Sequence, residues 1–298
     1  MKLKTLFKNL YKHFDQLQKS IISILSVILF SSQRNAIRLS RILKSNYNES
    51  CIILGNGPSL KKDIAKIIEI KNEHVFFVVN NFSSSEYYEK LQPKNYIIID
   101  ASFWRDNTHP DNIAIRNESL ENLKNKTKWP LNLFIPKEAY DSKFFGNFLS
   151  SNLNIQIVPI NTTPVEGNKF LSHFLFRHNL GMPLPINVLI PCLLLAINSK
   201  FKTISLFGVD HSWSEEIFVN NENRLVGYDR HFFNEENKDI KPTSFYHNAS
   251  DTVNISELFY NFHKAFQAYY IINNYSKEMK SNIINMSSKS FIDAFKRE

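Results

Sequence analysis

Two hydrophobic rhythms divide this chain near residue 50. Over residues 1–19, Leu3, Leu6, Phe7, Leu10, Phe14 and Leu17 recur at helical spacing, while Lys2, Lys4, Lys8, Lys12 and Lys19 fall mostly elsewhere on the wheel. The pattern predicts a basic amphipathic helix. An uncharged apolar run follows over residues 20–33, shorter than the about 20 residues a bilayer-spanning helix needs. It has the outline of a secretory signal, but no clean small-x-small cleavage site comes after it. Arg34, Arg38, Arg41 and Lys44 then resume a basic helical rhythm. Three readings are open for this stretch: helices lying on an anionic membrane surface, helices packed on the domain or on a second subunit, or a cleaved signal. The membrane reading is preferred.

Beyond residue 50 the apolar runs become short and unbroken. "CIIL" (51–54), "HVFFVVNNF" (74–82), "NYIIID" (95–100), "LNLFIPK" (131–137), "NIQIVPI" (154–160), the run within "FKTISLFGVDHSW" (201–213) and "SNIINMS" (281–287) predict buried strands. Between them "KKDIAKIIEI", "FLSHFLFRHNL" (170–180), "PINVLIPCLLLAINS" (185–199) and residues 251–279 carry helical periodicity, and "SKSFIDAFKRE" predicts a closing helix. Strands alternating with helices predict an α/β fold: a single Rossmann-like domain over residues 51–298 with a central parallel sheet, preceded by a helical extension over 1–50. Residues 211–247 are polar, studded with aromatics and weakly periodic, which predicts a loop-rich lid.

Composition narrows the picture little. A chain of 298 residues with 43% hydrophobic residues can bury a sizeable core. The net charge of +8 suits an acidic partner without choosing among nucleic acid, anionic lipid and phosphorylated small molecules. Two cysteines, Cys51 and Cys192, sit in apolar runs and build neither a disulfide framework nor a zinc site, which fits a reducing cytoplasm.

The chemistry gathers at strand ends. In parallel sheets ligands bind beyond the carboxyl ends of strands, and the predicted strands end in Gly55-Asn56-Gly57, in Asn80-Asn81, in Asp100 with Ser102, and in Gly208 with Asp210. Glycine is scarce, 7 in the whole chain, and "GNGPSL" (55–60) holds two. They would tolerate positive φ and let backbone approach a ligand. Ser59 would open the following helix, whose free N–H groups could hold a phosphate. The turn is neither G-x-G-x-x-G nor a Walker A loop. Of the nine histidines, His211, His231 and His247 lie in the lid. No H-x-x-x-H, H-E-x-x-H or D-x-D spacing occurs, so no metal is expected, and a general acid/base role for at least one histidine is preferred.

Together these features resemble the bacterial CMP-sialic-acid-dependent sialyltransferases with a single Rossmann-like domain. Those carry "AGNGPSL" after the first strand, a "CNQF" strand end, a late "GID" strand end followed by a lid, and a histidine in the lid's return before a long helix. The matching stretches here are "LGNGPSL" (54–60), "VNNF" (79–82), "FGVD" (207–210) and "FYHNASDTVNISELF" (245–259), and the resemblance covers residues 51–298. Archaeal-type 6-hydroxymethylpterin pyrophosphokinases and flagellin-modifying enzymes share a similar turn. The resemblance implies that Gly55, Asn56 and Ser59 contact the CMP phosphate or ribose, that Asn80 lies near the donor's sugar or phosphate, and that His247 is the general base; Gly57 and Asn81, beside them in the same strand ends, join the candidate binding residues. Asp100 stands where the family has an asparagine. Asn187 is the nearest polar residue to the family's nucleotide-gripping segment. His211, Ser212, Trp213 or Tyr228 would replace the lid tyrosines that hold the leaving phosphate.

The expected function is then a metal-independent inverting glycosyltransferase that moves sialic acid, another nonulosonic acid or Kdo from a CMP-sugar to a bacterial surface glycan or glycolipid. No cofactor and no nucleic-acid partner are expected. The enzyme would sit on the inner face of the cytoplasmic membrane, with homo-oligomerisation left open. A pterin-type pyrophosphokinase using ATP and Mg²⁺, with acidic ligands around Asp100 and Asp210, is the alternative enzyme. A non-catalytic membrane-bound scaffold is the alternative from another class.

Overall fold

A computed structural model describes residues 2–43, 50–228, 230–232, 242–245 and 252–298. Two helices lead, α1 (Lys2–Phe30) and α2 (Gln33–Leu43), followed by β1 (Cys51–Leu54), α3 (Leu60–Glu69), β2 (Val75–Val79), α4 (Tyr88–Leu91), β3 (Asn95–Ile97), α5 (Pro110–Lys126), β4 (Leu131–Pro136), α6 (Lys137–Asp141), α7 (Phe144–Phe148) and β5 (Ile155–Ile160). Then come α8 (Lys169–Arg177), α9 (Leu189–Asn198), β6 (Thr203–Phe207), α10 (Trp213–Glu216), β7 (Ile217–Val219), β8 (Leu225–Gly227), β9 (Thr243–Ser244), α11 (Ile255–Glu278), β10 (Asn282–Asn285) and β11 (Lys296–Arg297).

Eight strands form one parallel sheet in the order β11-β10-β6-β1-β2-β3-β4-β5. The fold is α/β and Rossmann-like, as the strand runs predict. The chain winds outward from β1 to β5, then crosses back to β6 on the other side of β1. The topological switch point therefore lies between β1 and β6, where Cys51 stands beside Ile204 and Leu54 beside Phe207. Alternation along each strand sorts the core into two layers. Cys51, Ile53, Phe77, Ile97 and Phe134 face one side, with α2, α8, α9 and α11. Ile52, Leu54, Phe76, Val78, Tyr96 and Leu133 face the other, with α3, α4, α5, α6 and α7.

Several elements differ from expectation, each for a local reason. The second strand stops at Val79 because Asn80 turns to φ 47° and starts a 3₁₀ turn over Asn80–Ser84; asparagine tolerates that region better than most residues. The third strand ends at Ile97, and Asp100 caps the next turn by accepting from Ser102 N–H at 2.9 Å. No closing helix forms. Ile292, Ala294 and Phe295 are buried in the core, and Asn285 Nδ2 donates to Ser290 Oγ at 3.0 Å while Arg297 donates to the carbonyls of Ser287 and Ser290. Such side-chain bonds satisfy the segment without a helical ladder, and β11 adds to the sheet edge. Within residues 211–247, β7, β8 and β9 form a small antiparallel sheet rather than only loop.

The leading helices are not alike. Ala36, Leu39 and Leu43 of α2 are buried in the core beside α9 and β5. α1 continues unbroken as far as Phe30, through most of the uncharged run, and docks by a narrow serine edge. Ser23 Oγ donates to Glu166 O and accepts from Glu166 N–H, both at 2.9 Å, and Ser20 Oγ accepts from Asn168 N–H at 2.8 Å. A Cβ on Gly167 would lie 2.5 Å from Ser20 Oγ, so only glycine admits this contact. At the 90° bend between the two helices, Asn161 accepts from Ser32 N–H at 2.8 Å and donates to Ser32 O at 3.0 Å.

Candidate functional site

The ends of β1 and β6 are locked together. Gly55 N–H donates to Phe207 O and Gly57 N–H to Gly208 O, each at 2.8 Å. A Cβ on Gly55 would lie 2.3 Å from Gly208 O, and one on Gly57 would lie 2.5 Å from Asp210 Oδ1. Neither residue has positive φ; Gly208 does, at +64°. The two glycines of "GNGPSL" thus let one strand-end loop lie against another.

That contact changes the expectation for Ser59. Its N–H donates to Asp210 Oδ2 at 2.8 Å and its hydroxyl to Asp210 Oδ1. The first turn of α3 is capped by a carboxylate from the far loop, so the Ser59 amide is not free for a phosphate. Asp210 is 5% exposed. Burial pushes its carboxyl above the ordinary value, and the two bonds from Ser59 oppose the rise.

Three amides occupy the neighbouring strand ends. Asn56 Nδ2 donates to Val79 O at 3.1 Å, bridging β1 to β2. That bond fixes the amide orientation and leaves Asn56 Oδ1 buried without a partner. Asn80 Oδ1 and Asn81 Oδ1 are likewise buried and unpartnered. Buried polar atoms are nearly always satisfied, so these three orphans at the ends of the adjacent strands β1 and β2 are the candidate ligand contacts. Asp100 is exposed and Ser102 half-buried, and they are engaged with each other.

Residues of the 211–247 segment pack beside these strand ends. Phe232 N–H donates to Asn56 O at 3.0 Å, and its buried ring packs on Phe82 and Tyr87, with centroids 5.6 and 6.3 Å apart. On the β6 side, His211 sits at φ +46°, its ring stacked 4.2 Å from Trp213, which stacks on Phe262 of α11. His211 Nδ1 lies 2.9 Å from the Tyr269 hydroxyl, which donates to Asn187 Oδ1 at 3.0 Å. The structure therefore joins Gly55, Gly57, Ser59, Gly208 and Asp210 in one contact, Asn56 to the end of β2, and Asn187 to His211. His247 lies outside the described residues. Among the described residues no group of three or more His, Cys, Asp or Glu is placed to hold a metal ion.

Phe232 and Tyr269 were not legible as site residues. Phe232 is one aromatic among many beside the more conspicuous His231. Tyr269 lies within a helical repeat whose periodicity signals only core.

No family model and no curated protein matches the chain. Among solved structures it is similar to the MAf glycosyltransferase from Magnetospirillum magneticum AMB-1, at 11% identity and a TM-score of 0.46. The match covers 89% of this chain and 38% of that one, so the chain spans well under half of that neighbour's length.

Proposed function

We propose that this chain is a glycosyltransferase that moves an acidic sugar (sialic acid, another nonulosonic acid or Kdo) from a CMP-activated donor to a surface glycan or glycolipid, with inversion and without a metal ion. The observation that carries the reading is the set of orphaned, buried amide oxygens of Asn56, Asn80 and Asn81 at the ends of adjacent strands. They call for a ligand rich in O–H and N–H donors, and a cytidine nucleotide supplies ribose hydroxyls and a base amino group. The pyrophosphokinase alternative is less well supported, because both oxygens of Asp210 already accept from Ser59 and are poorly disposed to hold Mg²⁺. Thermal-shift measurements test the assignment. CMP alone is expected to raise Tm, and Asn56→Ala to weaken CMP binding about tenfold, the equivalent of one hydrogen bond of ~1.4 kcal/mol. Stabilisation by ATP–Mg²⁺ alone would sink the transferase reading.

Glycosyl transfer needs the acceptor hydroxyl deprotonated as it attacks the anomeric carbon, and an imidazole suits that step. By resemblance His247 is that base. His247→Ala is expected to abolish transfer, by 10²-fold or more, while CMP still binds. Unimpaired turnover would remove His247 from the mechanism.

The same reading places the enzyme on an anionic membrane at the cytoplasmic face. Its support is the inverted polarity of α1: serines face the domain, while Phe7, Leu10, Phe14, Leu17, Leu25 and Ile28 are all more than half exposed. Phe170 and Phe174 of α8, which begins where α1 docks, add to the apolar surface. Exposed apolar area on this scale marks an interaction surface, and Lys8, Lys12 and Lys19 on α1 suit anionic lipid. No single helix among the described residues is long and apolar enough to cross a membrane, and the buried face of α2 is committed to the core.

A further inference from the structure

The hydrogen bonds around Tyr269 determine where a proton sits on His211. Leu189 N–H donates to Asn187 Oδ1 at 3.0 Å, which identifies the oxygen end of that amide. Tyr269 has one hydroxyl proton, and burial pushes its ionisation up, so the proton stays. Asn187 Oδ1, 3.0 Å away, can only accept, so that proton is directed to it. The remaining contact, Tyr269 Oη to His211 Nδ1 at 2.9 Å, then requires the ring nitrogen to donate. Burial holds the imidazole down to about 3, so the ring is neutral near pH 7. A neutral ring with a proton on Nδ1 has a bare lone pair on Nε2. Stacking on Trp213 resists a ring flip, and Nε2 has no partner among the described residues.

We propose that Asn187 and Tyr269 are positioning residues that hold His211 in its Nδ1–H tautomer, so that Nε2 accepts from a hydroxyl-bearing ligand at the carboxyl end of β6. Asn187 Nδ2, buried and unpaired, supplies the adjoining donor. A donor and an acceptor linked through one tyrosine suit a polyol such as a sugar, and the assignment of the sugar to a CMP donor or its acceptor rests on the function proposed above. This proton acceptor is a different residue from His247, the general base of the function proposed above.

Long-range ¹H–¹⁵N spectra of the full chain labelled at histidine test the relay, with His211 assigned by the signal lost in His211→Gln. The expected result at pH 7 is a neutral ring with the proton on Nδ1. Tyr269→Phe removes the acceptor. Asn187→Leu, which does not touch His211, frees the Tyr269 proton to turn toward Nδ1. Each is expected to move the ring from predominantly Nδ1–H to predominantly Nε2–H, an effect that loosened packing alone would not produce in both. A wild-type ring that is imidazolium or Nε2–H at pH 7 would overturn the proposal, as would an unchanged tautomer in Tyr269→Phe. With a CMP-sugar that the chain turns over, Tyr269→Phe is expected to lower kcat tenfold or more with KM within twofold, and Asn187→Leu, which also removes the Nδ2 donor, to lower kcat and raise KM; unchanged kcat in Tyr269→Phe would overturn the functional half. An Nδ1–H tautomer in a chain that ignores CMP supports the relay and removes only the nucleotide reading.

Discussion

Gly55→Ala is expected to lower Tm by roughly 6–12 °C, the consequence of about 3 kcal/mol of overpacking at about 2–4 °C per kcal/mol for a domain of this size. The new Cβ would meet Gly208 O at 2.3 Å and Gly208 C at 2.9 Å. Both are backbone atoms, so no rotamer change relieves the clash. The two loops could separate only by breaking Gly55 N–H to Phe207 O and Gly57 N–H to Gly208 O. Those bonds position Asp210 on Ser59 and Asn56 beneath Phe232, so if the proposed CMP site is correct, CMP-induced stabilisation falls together with Tm. Gly146→Ala is the internal control: no atom lies within 4 Å of its Cβ position, it sits in α7, and alanine there should be neutral or stabilising by up to about 1 kcal/mol. Calorimetry on the two variants decides the matter. A Gly55→Ala protein melting within 2 °C of the parent would show that the strand-end loops are not locked.

The contrast between those glycines also shows how much of the site can be read from sequence. That "CIILGNGPSL" is a strand, a tight turn and a helix follows from three apolar residues, two glycines and a proline, and all of that is local. What the turn is for depends on residues about 150 positions away. Asp210 reaches Ser59 because β1 and β6 are neighbours across the switch point, and neither composition nor spacing encodes that adjacency. The orphaned amides of Asn56, Asn80 and Asn81 were legible as polar strand ends; their lack of partners was not. Tyr269 carries no sequence signal because it repeats at the same helical spacing as its buried neighbours Ala265 and Ile272. The predicted final helix failed for a comparable reason: "SKSFIDAFKRE" has helical spacing, but Asn285 donates to Ile292 O, Ser290 Oγ accepts from Ile292 N–H and Arg297 donates to Ser290 O, which gives its backbone other partners.

Removing residues 1–43 is expected to unfold the protein rather than release it from membranes. Read from sequence, the first fifty residues look detachable, because both leading segments are basic and helical. The structure separates them. Ala36, Leu39 and Leu43 of α2 are at most 4% exposed within the main core. Losing two buried leucines costs about 2–5 kcal/mol each, a large share of the about 5–15 kcal/mol that stabilises a typical domain. The Asn161 clamp on Ser32 would go as well. Membrane binding is therefore tested with the helix kept and its outer face changed. Leu25 and Ile28 are 54% and 70% exposed, so Leu25→Glu with Ile28→Glu should leave Tm nearly unchanged. Each substitution removes about 1.5–3 kcal/mol of apolar burial in lipid, so the pair should weaken flotation with anionic vesicles at least a hundredfold. Truncation at residue 43 should instead give aggregated protein with no cooperative melt. If the double variant floats as well as the parent, the outer face of α1 is not the membrane contact. If the truncated chain melts cooperatively, α2 does not belong to the core.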